Sequence, residues 1–89
     1  MATLFVKHDV KDFATWKAAY DAFDAERTGM GVTGQGVYQG DGNPNEVTAY
    51  HHFDGMDAAK AFVESARLKE VMKESGVVGT PTIWLANRV

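Results

Sequence analysis

The chain predicts an α+β domain with the element order β-α-β-β-α-β: a four-stranded antiparallel sheet with both helices on one face. Three observations predict it. Four short segments read as strands, two of them with clear alternation of inward and outward residues. Two longer segments carry apolar residues at helical spacing. Turn residues separate the segments, with no linker, repeat or low-complexity tract.

The first strand spans Ala2 to His8. Side chains alternate along a strand, so Thr3, Phe5 and Lys7 point one way and Leu4, Val6 and His8 the other. Asp12 follows as an N-cap, its carboxylate placed to accept from the free N–H groups of the first turn. The helix after it carries Phe13, Trp16, Tyr20, Phe23 and Arg27 on one stripe, spaced 3, 4, 3 and 4. Gly29 and Gly31 end it.

A second strand runs from Val32 to Gly40, and its Gly34 and Gly36 mark a bulge or a close backbone approach. Asp41 to Asn45 is dense turn chemistry, read as a hairpin loop of about five residues. The third strand, Glu46 to Phe53, puts Val47, Ala49, His51 and Phe53 on one face and Thr48, Tyr50 and His52 on the other. Asp54 or Asp57 caps the next helix, whose apolar face is Ala58, Ala59, Phe62 and Val63. A break is expected near Ser65, which starts a further helical segment through Leu68, Val71 and Met72, closed by Gly76. Gly79-Thr80-Pro81 punctuates, and Thr82 to Arg88 is the final strand.

Right-handed crossovers arrange this order as a ferredoxin-like plait, with the first and third strands as central neighbours. At 89 residues the chain is one domain, residues 1–89. It has no cysteine, which excludes a disulfide scaffold, a thiolate metal site and a cysteine nucleophile. Its net charge of −3 argues against a nucleic-acid partner, which needs a basic stripe. No apolar run approaches the ~20 residues that span a bilayer, and the N-terminal residues lack signal-peptide character; a cytoplasmic protein is expected.

Two helices cover only one face of such a sheet. With Leu4 opposite His51, the covered face reads Leu4, Val6, His8, Val47, Ala49, His51 and Phe53, with Ile83 and Leu85. The uncovered face reads Phe5, Lys7, Thr48, Tyr50 and His52, with Trp84 and Tyr38. That second set is aromatic and amphipathic, as interfaces are. It predicts a two-fold homodimer packed sheet to sheet through Phe5, Tyr50, His52 and Trp84.

Three stretches also carry a resemblance. They are Val6-Lys7-His8-Asp9-Val10-Lys11-Asp12-Phe13 with Trp16-Lys17, the loop Asn43-Pro44-Asn45-Glu46-Val47, and the tail from Met72 to Pro81. Together they resemble small bacterial cyclase-like proteins of the dimeric α+β barrel superfamily, related to antibiotic biosynthesis monooxygenases. The similarity covers nearly the whole chain. It implies a dimer and a small apolar pocket in each protomer, between helices and sheet, around an aromatic or lactone-like ligand. Better-known members of the superfamily are cofactor-free quinone-forming monooxygenases, haem-degrading enzymes, lactone isomerases and polyketide cyclases. A fold with so many chemistries does not by itself name one.

The candidate catalytic residues are His8 and His51. A neutral imidazole on the covered face can take a proton from a phenol or enol, because its ordinary pKa is near 6.5. The bland reading of His8 is a local hydrogen bond at the strand–helix turn. His8 faces a position near residue 47, so His51 lies over ~13 Å away and the two cannot share one metal within a protomer. No metal and no cofactor are expected. Trp16 and Tyr20, one turn apart, are candidate ligand-binding residues offering an indole N–H and a phenol O–H; aromatics at this spacing also serve as plain core. Arg67 could attract an anion but reads better as a solvated charge, and Gly34, Gly36, Gly40 and Gly42 form no phosphate loop.

Two functions compete. One is a cofactor-independent monooxygenase- or cyclase-like enzyme acting on a small aromatic or polyketide-like substrate. The other is a non-catalytic homodimer that binds a small ligand or serves in a stress response. Haem binding is a weaker third. A filled helix–sheet interface would favour a structural role, and a cavity with convergent polar groups would favour ligand binding or catalysis.

Overall fold

The computed structural model describes residues 1–89. The elements are β1 (Ala2–Val10), α1 (Phe13–Ala22), α2 (Asp24–Gly29), β2 (Val32–Gly40), β3 (Asn43–Phe53), α3 (Met56–Glu64), α4 (Ala66–Glu74) and β4 (Val77–Asn87). The strands form one antiparallel sheet in the order β2-β3-β1-β4. β1 and β3 are the central pair, and Leu4 lies opposite His51, His8 opposite Val47. The register puts Leu85 and Ile83 beside Leu4 and Val6, and Trp84 beside Phe5, so both faces have the composition expected of them.

The expected first helix is two. α1 ends at Ala22 and α2 begins at Asp24, with Phe23 between them still in the right-handed helical region. The apolar stripe runs through this joint: Trp16, Phe23 and Arg27 are all buried. Asp12 caps α1, accepting from the Thr15 N–H at 2.9 Å and the Thr15 hydroxyl at 2.8 Å. The Asn45 side chain accepts from Phe13 N–H at 2.9 Å and ties the start of β3 to the start of α1.

Four boundaries differ from expectation, the first being β1, which runs on to Val10, two residues past His8. The hairpin turn is shorter, because Asn43 already pairs with Gly40 and only Asp41 and Gly42 remain between the strands. Gly42 takes the left-handed conformation (φ 76°) that this tight reversal requires. Gly55, not Asp54 or Asp57, occupies the N-cap of α3; Asp57 sits within the first turn, where its charge meets the helix dipole. β4 begins at Val77, well before Thr82. Gly79-Thr80-Pro81 does not end the pairing but interrupts its register, since Lys7 faces Thr82 while Asp9 faces Val78. The break at Ser65 is present, and its hydroxyl caps α4 by accepting from Leu68 N–H at 3.3 Å.

The helices bury two apolar clusters against the sheet. The larger holds Leu4, Phe23, Phe53, Ala59 and Phe62; the smaller holds Val10, Trp16 and Val47. On the opposite face, Phe5 stacks on Trp84 at 5.4 Å between ring centroids, and Tyr50 lies beside His52 at 4.9 Å and Tyr38 at 6.3 Å. Gly36 is glycine because Tyr50 crosses it: a Cβ there would sit 2.3 Å from the ring. No helix is long and apolar enough to cross a membrane.

Candidate functional site

Strand alternation presents Val6 and His8 of β1 and Ala49 and His51 of β3 to the helices. The stripe on α1 and α2 presents Trp16, Tyr20, Phe23 and Arg27 to the sheet. Between these surfaces lies a cavity of about 60 Å³, with walls from both apolar clusters. All four residues singled out in the sequence, His8, Trp16, Tyr20 and His51, line it.

The volume decides what the cavity admits as it stands. An apolar cavity that takes up benzene measures about 150 Å³, so a ring enters this one only if a wall moves. Among the helical walls, α4 is the least buried. It supplies Leu68, Val71 and Met72 to the lining yet buries no residue fully, whereas α3 anchors Ala59 and Phe62 in the core. Ile83, on the cavity face of edge strand β4, is 37% exposed and marks where the lining meets solvent.

The polar groups form a connected column. His8 meets Trp16 edge-on at 5.4 Å, Trp16 stacks on Tyr20 at 4.9 Å, and the Arg27 guanidinium lies 3.6 Å from the Tyr20 ring centroid. The Tyr20 hydroxyl is 2.8 Å from His51 Nε2. Burial pushes the Tyr20 hydroxyl up to about 12, partly opposed by the Arg27 charge. Burial also pulls His51 down to about 4, reinforced by the charges of Arg27 and His52. Both partners are therefore neutral around pH 7. His8 is likewise lowered by burial. The Nδ1 atoms of His8 and His51 are both buried without a protein partner, an expense that a purely structural histidine ordinarily avoids.

Arg27 is the site residue that sequence reading missed. It was visible only as the end of the aromatic stripe, yet the residue is 2% exposed. Its Nε–H donates to Gln35 Oε1 at 2.9 Å, Nη1 donates to the Tyr20 carbonyl, and Nη2 lies 3.4 Å from Asp24 Oδ1. A charge at the seventh position after Tyr20, in phase with four aromatics, was the available signal. Arg67 lies elsewhere, paired with Glu26 and Glu70 on the helix surface. His52 faces the opposite side of the sheet, where its Nδ1 bonds the Thr3 hydroxyl at 2.9 Å. No three His, Asp or Glu side chains cluster in a way that could hold a metal ion.

No family profile and no curated protein matches this chain. Solved structures do match over its whole length. A Bordetella bronchiseptica protein provisionally named an antibiotic biosynthesis monooxygenase superposes with a TM-score of 0.82 at 16% identity, over 99% of this chain and 96% of that one. SnoaB, a cofactor-independent oxygenase from Streptomyces nogalater, gives 0.75 at 10% identity over 99% and 94%. A conserved protein from Methanosarcina mazei Go1 gives 0.77 at 17% over 99% and 92%. The chain thus has the ferredoxin-like α+β fold of these proteins, and at such identities the likeness is one of fold.

Proposed function

We propose that this protein is a cofactor-free, monooxygenase-like enzyme acting on a small phenolic or polyketide-like aromatic inside the helix–sheet cavity. The observation that carries this reading is the set of polar groups set into a mostly apolar cavity wall: His8, with an unpartnered buried Nδ1, the neutral Tyr20–His51 pair and the Arg27 guanidinium beside Tyr20. The fold shared with SnoaB, a cofactor-independent oxygenase, supports it.

In this reading Trp16 lies against the ring and orients it, and Tyr20, its two faces covered by Trp16 and Arg27, meets the ring only at its edge. His8, neutral and unprotonated at pH 7, takes the proton from the phenol or its activated ring CH₂. His51 is the weaker base of the two candidates, because it is held down at about 4; it acts by fixing the Tyr20 hydroxyl. The substrate anion then supplies the electrons to dioxygen: the ring carbon para to the phenol oxygen, a CH₂ in the keto tautomer, becomes C=O, and the second oxygen atom leaves as water with both hydrogens. The apolar walls keep bulk water from the anion. The reading includes a homodimer through Phe5, Tyr50, His52 and Trp84. The uncovered aromatic face supports that, Trp84 being 46% exposed.

The test is a two-dimensional NMR titration with single-ring phenols and hydroquinones, followed by oxygen-uptake assays on those that bind. Expected are saturable shifts at Trp16, Tyr20 and His8, and oxygen uptake that His8→Ala abolishes. Binding without turnover would favour the non-catalytic ligand-binding dimer. No shifts at millimolar ligand would remove the cavity from consideration as a site.

A further inference from the structure

We infer that the ligand of this cavity carries a carboxylate, and that Arg27 receives it. The inference rests on the cavity being a ligand site, as proposed above, and names the chemical class of that ligand.

A buried guanidinium normally has a buried or well-aligned carboxylate beside it. Arg27 has neither. Its single acidic neighbour is Asp24, at 3.4 Å, whose side chain is 61% exposed against 3% for Arg27. Asp24 Oδ1 is also shared, accepting from Gln35 Nε2 at 2.9 Å. Water therefore screens the anion far more than the cation. The positive field stays in the cavity: it disfavours protonation of His51 and favours ionisation of Tyr20.

The guanidinium also has donors to spare. Arginine carries five N–H groups. The three bonds to Gln35, the Tyr20 carbonyl and Asp24 use Nε–H and one N–H on each terminal nitrogen. One N–H on each terminal nitrogen remains, the number a carboxylate can satisfy with two oxygens. Arg27 lines the cavity, and its flat face covers Tyr20, so the column of rings leads to the charge. An aromatic acid lying along the edge of Tyr20 would place its ring against apolar wall and its carboxylate at the guanidinium. The competing account makes Arg27 only a tie between α1, α2 and β2. That account predicts no preference between an acid and a neutral ligand of the same shape.

Benzoate and benzamide make the comparison, since they match in size and differ in charge. Each is titrated into the full-length wild-type protein at pH 7 in phosphate-free buffer, following the Trp16 indole N–H by NMR. Benzoate is expected to bind at least about 10-fold more tightly, the low end for a hydrogen bond to a charged group. Arg27→Gln is expected to bring the two within about 2-fold, chiefly by weakening benzoate. Equal affinities in wild type would overturn the role of Arg27 while leaving the cavity a ligand site. Benzoate shifts confined to surface resonances would overturn it as well. If neither compound binds, the ligand-site reading fails and this inference with it. Should Arg27→Gln not fold, the wild-type ratio alone decides.

Discussion

The Tyr20 hydroxyl lies 2.8 Å from Nε2 of His51, a contact between α1 and β3 made by residues 31 positions apart. It joins a phenol that burial holds protonated to an imidazole that burial holds neutral. With both groups neutral, the hydroxyl and Nε2 share one hydrogen bond, and Nδ1 of His51 has no protein partner. The pair is thus a polar contact without charge, placed where a charge would be costly.

Stability should fall as the solution is acidified through a window set by His51. In the unfolded chain its imidazole titrates near 6.5, and in the folded protein at about 4. Below pH 6.5 the unfolded chain takes up a proton that the folded chain refuses, so folding weakens down to about pH 4 and then levels off. The gap corresponds to at most about 3 kcal/mol. His8, also lowered, acts in the same direction. Urea denaturation of wild type and His51→Gln across this range is the check, and the variant should show the shallower decline. Parallel curves would rule out His51 as the source.

Tyr20→Phe should destabilise the fold by about 1–3 kcal/mol. It removes the hydroxyl and leaves both ring nitrogens of His51 buried without a protein partner. The aromatic contacts with Trp16 and Arg27 are kept, so the loss isolates the hydrogen bond. An unchanged denaturation midpoint would show that the bond contributes nothing net.

Gly36→Ala tests the outer face. The new methyl would meet the Tyr50 ring at 2.3 Å, so the ring must leave its place across the strand. Because the atoms met are the far end of the half-exposed Tyr50 side chain, a cost of only about 1 kcal/mol is expected. In a Tyr50→Ala background the same change should cost much less, and a double-mutant cycle measures the difference. Additive effects would mean that Tyr50 does not need this position.

Trp84→Glu tests the proposed dimer. Trp84 stacks on Phe5 outside the core, so the charge should leave the protomer folded. Sedimentation velocity should find wild type as a dimer and the variant as a monomer. A monomeric wild type would leave the aromatic face without its proposed partner.

Much of the architecture was written in local pattern. Alternation along β1 and β3 separates the two faces and forbids a one-residue slip, which would turn every core residue outward; the choice of Leu4 opposite His51 over registers two residues away is made in the folded sheet. Asp12 and Ser65 cap the helices they were expected to cap, since capping depends on residues three apart in sequence. Spacing also placed Trp16 and Tyr20 on the helix surface that meets His8 and His51. The true start of β4 was not legible, because Gly79 and Pro81 signal a stop in isolation, and only pairing with β1 absorbs them as an irregularity.

Tertiary structure decided the rest. It turned Arg27 inward, where the Tyr20 carbonyl, Gln35 and Asp24 receive it; a guanidinium read without those partners belongs in water. It explained Gly36 through a tyrosine on the neighbouring strand. It set the cavity at about 60 Å³, a quantity that depends on how side chains from seven elements interlock. Periodicity reports which way a side chain faces. What it meets there is fixed by residues distant in sequence, and for Tyr20, His51 and Arg27 those meetings create the chemistry of the site.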